Sequence, residues 1–385
     1  MIVVVSWVML RPTRTALGSW SGGRFMHVGE PLDEERLATL LRPGDGIDTL
    51  ITADAYGAGE ADSLVGRALA GLDRDSYCLV GAVGHDFYEG ERAGAKGYPR
   101  FTDPTLRGPD AFADYLRMAT EKSLQRCGVD CFDVLLLHNP DRTGYTSEGV
   151  WDAMANLRGE GLAGAIGVAP GPANGFSLDV IDCFERFGDR IDNAMIILNP
   201  FEPWPGRLVL PAASKYGVDL IARVVDYGGI FHGDVAPGHA FAEYDHRRHR
   251  PGNWVQEGRA RLETLMPIAE RHGLTALQLA CEWTLAQEAV TCVAPTLIQE
   301  LGEGTKAVEE KRAELASLPA ENPLTPEEIE EIDRLGDNTG CMALKGGVPD
   351  YDGEPVADRW PIDEELAAIA ERWSIDPERE LQVQG

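Results

Sequence analysis

Cysteine is scarce: the 385 residues hold seven, an odd number scattered along the chain. That excludes the disulfide framework that staples small secreted domains, and reduced thiols in a cytoplasm are the expectation. Cys127 and Cys131 lie close together but have no second pair at matching spacing, so no zinc site is expected. Long apolar runs are missing as well. Met1–Leu10 is apolar, yet it lacks a basic leader and reaches only about half the roughly 20 residues that a membrane-spanning helix needs. It reads as a strand, and no membrane partner is expected. Basic charge is also short, with 35 Lys and Arg against 63 Asp and Glu, for a net charge of −28. Such a chain repels phosphate backbones and anionic lipid surfaces, which argues against nucleic acid as a partner. Nothing in the sequence speaks to oligomeric state.

What is present is a globular composition, 44% hydrophobic and 25% charged, able to bury a large core. Helical patterns alternate with short apolar runs, the rhythm of a parallel sheet closed by crossover helices. Eight strand candidates can be counted: Ala16–Trp20, Thr49–Asp54, Cys78–Gly84, Phe132–His138, Ala163–Ala169, Ala194–Asn199, Val218–Val224 and Thr291–Ala294. The spacing predicts helices over Pro109–Arg126 and Glu148–Arg158, and Thr325 with Glu328 forms a capping box for a helix running through Ile332. The fold expected is a (β/α)8 barrel over residues 1–336, with a C-terminal extension, 337–385, packed on it. Three stretches exceed a minimal barrel: His85–Leu106, Val235–Asn253 and the tail, which holds Cys341, Lys345 and Trp360. Long insertions at the active face usually shape access to it.

Particular motifs look like a known family. TADAYG at Thr52–Gly57, followed by GEAD and GRAL, resembles the aldo-keto reductase signature DTAxxYGxxE. SLQRCGVDCFDVLLLHNPD at Ser123–Asp141 is similar to its second signature, and AGAIGVAP at Ala163–Pro170 and LGSW at Leu17–Trp20 resemble its fifth and first strands. The resemblance covers roughly residues 15 to 335 and implies a barrel whose Asp, Tyr, Lys and His reduce a carbonyl with hydride from NADPH. Tyr56 and His138 stand at the family's positions. Where the pattern puts aspartate this chain has Ile51, and where it puts lysine it has Ala82. A tyrosine without that ammonium neighbour should keep a pKa near about 10. The cofactor contacts depart too: Ala169 and Pro170 replace the Ser and Asn that hold the nicotinamide amide, Met195 the glutamine, and Arg223 the stacking aromatic. After the eighth strand APTLIQE replaces the phosphate-binding pattern, and no basic residue appears before Lys306.

These departures lead to an expectation of chemistry without net redox. Tyr56 and His138 are the candidate acid/base pair for elimination, hydration or isomerisation of a small oxygenated molecule, with no cofactor and no metal. Trp20, His85, Asp86, Asn199, Arg223, Asp226 and His232, at or just beyond strand ends, are candidates for binding it. Arg223 would take a carboxylate, phosphate or enolate. Two alternatives stand beside this: an NADP(H)-dependent carbonyl reductase or alcohol dehydrogenase with rearranged cofactor contacts, and an inactive barrel serving as a binding or regulatory protein. Each candidate also has a plain structural reading. Tyr56 and His138 can bond to each other, Asp226 can neutralise Arg223, and Trp20 and Trp204 can pack at the rim rather than stack on a ring. His85, Asp86, His232 and Asp234 are suitable metal ligands, but HD and HGD are too short to be diagnostic. The basic run His246, Arg247, Arg248, His249 and Arg250 is either an anion or subunit site, or a solvated loop balancing nearby acids.

Overall fold

Eight short parallel strands pair in chain order: β1 (Ala16–Gly18), β2 (Thr49–Ile51), β3 (Cys78–Val83), β4 (Phe132–His138), β5 (Ala163–Ala169), β6 (Asn193–Ile197), β7 (Asp219–Arg223) and β8 (Val290–Ala294). Thr15 bridges Val293 in parallel, and the Val293 N–H donates to the Arg14 carbonyl at 2.9 Å, which brings β8 back against β1. The protein is thus a (β/α)8 barrel, seen here in a computed structural model that describes residues 9–94, 97–171, 174–250, 252–339 and 351–381.

Burial on both sheet faces explains why the strands read as unbroken apolar runs: every residue of β3 and β4 is buried. The barrel interior is filled by Ala16, Ile51, Val80, Ala82, Val134, Leu136, Met195, Ile221 and Ala294. A second, larger apolar layer lies between the strands and the helices. Gly167 on β5 is a packing requirement, because a side chain there would run into the Asn193 carbonyl of β6.

Helix Phe112–Cys127 buries Phe112, Leu116, Ala119 and Ser123, the face the spacing predicts. Its first expected turn, Pro109–Ala111, is a tighter 3-10 turn. Both halves of the Thr325 capping box form, and the helix runs Pro326–Leu335. β1 and β2 end earlier than expected, because Trp20 folds back over Gly18 and the chain beyond Ile51 turns towards Tyr56; even so, the Thr52 and Asp54 N–H groups still donate to Val80 and Ala82 carbonyls.

In the extension, helix Glu364–Arg372 packs along helix Ser177–Phe187. Trp360 is buried against Phe176 and Tyr145. Cys341 and Lys345, and all but the end of the strand expected over Met1–Leu10, fall outside the described residues. Cys127 and Cys131 are both buried free thiols.

Candidate active site at the barrel mouth

β2 delivers Tyr56 to the mouth through a tight 3-10 turn, Tyr56–Gly59. Gly57 (φ 60°) and Gly59 (φ 95°) hold that turn in the left-handed region where glycine carries no steric penalty. β4 ends on His138, which is 7% exposed. The two rings meet edge to face with centroids 5.6 Å apart, and His85, just beyond β3, approaches the other side of His138 in the same manner at 5.0 Å. The His138 Nδ1 is buried and has no hydrogen-bond partner among the described residues.

The electrostatics of this cluster follow from burial first. Removing the phenol of Tyr56 from water pushes its pKa above the ordinary value, while the Arg223 guanidinium pulls it back down. The expectation of an unperturbed tyrosine is corrected accordingly: the missing ammonium has a cationic counterpart arriving from β7. Burial drives His138 well below the usual imidazole range, and His85, Arg100 and Arg223 drive it further the same way. His85 falls to about 3, chiefly through burial and then Arg100. Both imidazoles are therefore neutral at physiological pH. His85 Nδ1 lies 3.0 Å from the Tyr98 carbonyl and 3.1 Å from Arg100 Nη1, and its Nε2 lies 3.0 Å from the Asn139 amide nitrogen. A neutral ring protonated on Nδ1, donating to Tyr98 and accepting from Asn139, satisfies both ends. Arg223 donates from Nη2 to the Pro170 carbonyl at 3.3 Å, so two positions where the resemblance puts cofactor contacts touch each other. Ala169 and Met195 lie buried in the barrel interior.

The remaining candidates are held by contacts to the scaffold. Asp86 is fully buried, pairs with Arg107 at 2.5 Å and accepts the N–H groups of Tyr88 and Glu89, which pins the first insertion. Asn199 accepts from the N–H groups of Phe201 and Glu202 and donates to the Val224 carbonyl. Asp226 accepts from Gly229 and Thr296 N–H groups at 3.0 and 2.8 Å, so its carboxylate is spent on loop backbone. His232 is buried and neutral, with a pKa near 3 set mainly by burial, and its Nε2 sits 2.8 Å from the Thr296 carbonyl. Asp234 pairs with buried Lys311. Trp20 closes the barrel interior, and Trp204 exchanges backbone hydrogen bonds with the Asn338 side chain. No group of three or more potential metal ligands converges among the described residues.

The basic run divides. Arg247 is 2% exposed and clamped between Asp245 and Glu300. Arg250 lies over Tyr227 and Trp254, whereas Arg248 is exposed.

Sequence reading missed Arg100, Asn139, Tyr145 and Asp54. Asp54 sits inside the TADAYG motif, wholly buried and close to the Ala55 backbone, and burial pushes its pKa well above the usual carboxylate range. Arg100 carries no local signal, because its partners His85, Asn139 and Asp358 lie 15 to 258 residues away.

The aldo/keto reductase family profile matches residues 16–337. The chain belongs to the aldo/keto reductase family. It is 25% identical over 285 residues to the aldo-keto reductase YhdN of Bacillus subtilis, covering 72% of this chain and 79% of that one. A probable voltage-gated potassium channel subunit beta of Oryza sativa is 25% identical, with 85% and 93% of the two chains covered. Among solved structures, the glycerol dehydrogenase of Gluconobacter oxydans aligns with a TM-score of 0.63 at 23% identity, over 84% of this chain and 90% of that one. An aldo/keto reductase from Klebsiella pneumoniae, solved in complex with NADP and acetate, aligns at 0.53 and 20%, with the same coverage. These findings overturn the expectation that no cofactor is involved: the family is that of the aldo/keto reductases, and the Klebsiella relative was crystallised with NADP and with NADPH. Substituted contact positions are poor evidence against a cofactor, because a large ligand is held at many points and any one can move. No helix among the described residues is long and apolar enough to cross a membrane.

Proposed function

We propose that the protein is an NADP(H)-dependent oxidoreductase that interconverts a small carbonyl compound and its alcohol. The observation that carries this reading is the meeting of Tyr56 and His138 at the mouth of a barrel of this family.

The residues present fit the group's reacting end: a phenol, a neutral imidazole with an unpartnered buried nitrogen, and a guanidinium share the mouth. The loop after β8 is differently committed, since the Thr296 and Leu297 N–H groups already bond Asp226 and Ser21. The phosphates would fall to the neighbouring cleft of about 410 Å3, where Arg259 and Lys306, the latter on leaving Glu314, would hold them beside an apolar wall of Phe231, Leu262 and Met266. When bound, the cofactor supplies the hydride. Tyr56 donates its phenolic proton to the carbonyl oxygen, and Arg223 stabilises the phenolate left behind. His138, neutral, directs a ring N–H at the same oxygen and orients the substrate. The apolar barrel interior below and Trp20 beside them keep water from the reacting atoms.

Equilibrium titration of the purified protein with NADPH and NADH, followed by nicotinamide fluorescence, tests the reading. Saturation at micromolar NADPH is expected, with weakening when Lys306 is replaced by alanine. No binding at millimolar NADPH would exclude it.

A further inference from the structure

Outside the barrel, the chain returns to the mouth once more. Residues Val356–Arg359 form a tight turn, closed by paired backbone hydrogen bonds of 2.8 and 3.0 Å. At its tip, the Asp358 carboxylate pairs with Nη2 of Arg100. The turn is anchored on its C-terminal side by Trp360, whose ring is 4.6 Å from that of Phe176 and whose Nε1 donates to Asp179 at 3.3 Å.

Arg100 is only 4% exposed and spends its other nitrogens on the site itself. Its Nε donates to the Asn139 carbonyl, and Nη1 lies 3.1 Å from His85 Nδ1. Asn139 in turn bonds His85 Nε2 at 3.0 Å, and the His85 ring stands against His138. Asn139 holds a left-handed φ of 47°, and the neighbouring Gly171 leaves room for its side chain, since any Cβ there would overlap the amide. A buried guanidinium with its carboxylate removed is costly, and it would turn outwards to water, releasing the Asn139 carbonyl and with it the amide that donates to His85 Nε2.

We infer that the C-terminal extension is a working part of the site: Asp358 and Arg100 are positioning residues that fix His85 and Asn139, and through them the orientation of His138 towards the substrate. The inference rests on the reductase reading only for its kinetic consequence; the positioning itself is a property of the free protein.

The test compares Asp358→Asn and Asp358→Glu with Glu365→Gln. The last removes ion pairs from Arg142 and Arg186 to the same extension but touches nothing at the mouth. Nitrogen-15 NMR of the histidine side chains in the full-length, ligand-free protein is the first readout. Asp358→Asn should shift and broaden the His85 and His138 ring signals, Asp358→Glu should restore them, and Glu365→Gln should leave them in place. With NADPH and a reducible aldehyde, Asp358→Asn should raise KM for the aldehyde about tenfold, the size of one charge-assisted hydrogen bond, with NADPH affinity unchanged. Ring signals unmoved by Asp358→Asn, or moved equally by Glu365→Gln, would overturn the inference. Ring signals that move as expected in a protein without aldehyde reduction would support the positioning and count against the reductase reading.

Discussion

His138 stands edge-on to Tyr56 at 5.6 Å, so the two polar groups contributed by β2 and β4 converge on one point at the barrel mouth. In the proposed reaction the tyrosine is the proton donor and the histidine, which burial keeps neutral, is a hydrogen-bond donor that does not titrate.

Replacing His138 by alanine removes one donor to the oxygen on which charge develops. The expected loss in kcat is about 10²- to 10³-fold, with NADPH binding retained. Steady-state kinetics with a small aldehyde, alongside the fluorescence titration, measures both. Unchanged kcat would show that the imidazole is structural.

Arg223 lowers the pKa of Tyr56, so Arg223→Met should raise it. The alkaline limb of the reduction profile, where the phenol loses its proton, then moves to higher pH, while alcohol oxidation, which needs the phenolate, slows at any fixed pH below it. Profiles of kcat/KM in both directions read this out. A limb that does not move would mean that Arg223 does not act on Tyr56.

His85 and His232 are held near 3 by burial, and His138 well below its ordinary value. Unfolded, each binds a proton near pH 6.5. Between about 3 and 6.5 the unfolded state therefore holds more protons, and these groups make stability rise with pH and fall as the protein is acidified. Asp62 at about 6 and Asp179 at about 7, both raised chiefly by burial, act in the opposite sense above pH 4. Urea unfolding across this range should show His85→Gln with a pH slope smaller by as much as one proton than that of the wild type.

The shape of the fold was legible because periodicity and burial are local: β4 and β5 start and end where their apolar runs do. The placement of Tyr56 just after β2 and of His138 at the end of β4 was legible through short motifs. The role of Asp226 was not. Three residues from Arg223 suggested an ion pair, but backbone N–H groups of two loops compete for the same carboxylate and take it. Arg100 was invisible for a related reason, since its meaning lies in Asn139, His85 and Asp358, which only the closed barrel brings together. Cofactor use was misjudged because contact positions were weighed singly, whereas binding is the sum over an extended surface.

The basic run supplies a contrast between two adjacent residues. Arg247→Met leaves Asp245 and Glu300 buried without their cation and should cost about 3–5 kcal/mol. Arg248→Ala, on an exposed side chain, should stay within about 0.5 kcal/mol of wild type. Urea denaturation of the two variants decides whether the run is chiefly structural; equal effects would contradict that.

The central claim is carbonyl reduction with Tyr56 as the proton donor, and aldehyde-dependent consumption of NADPH by the wild type and by Tyr56→Phe tests it most directly. The account predicts turnover by the wild type and a loss of about 10²- to 10⁴-fold in the variant, with both proteins binding NADPH equally. NADPH binding without consumption across a panel of small aldehydes and ketones, or equal turnover by Tyr56→Phe, would contradict it.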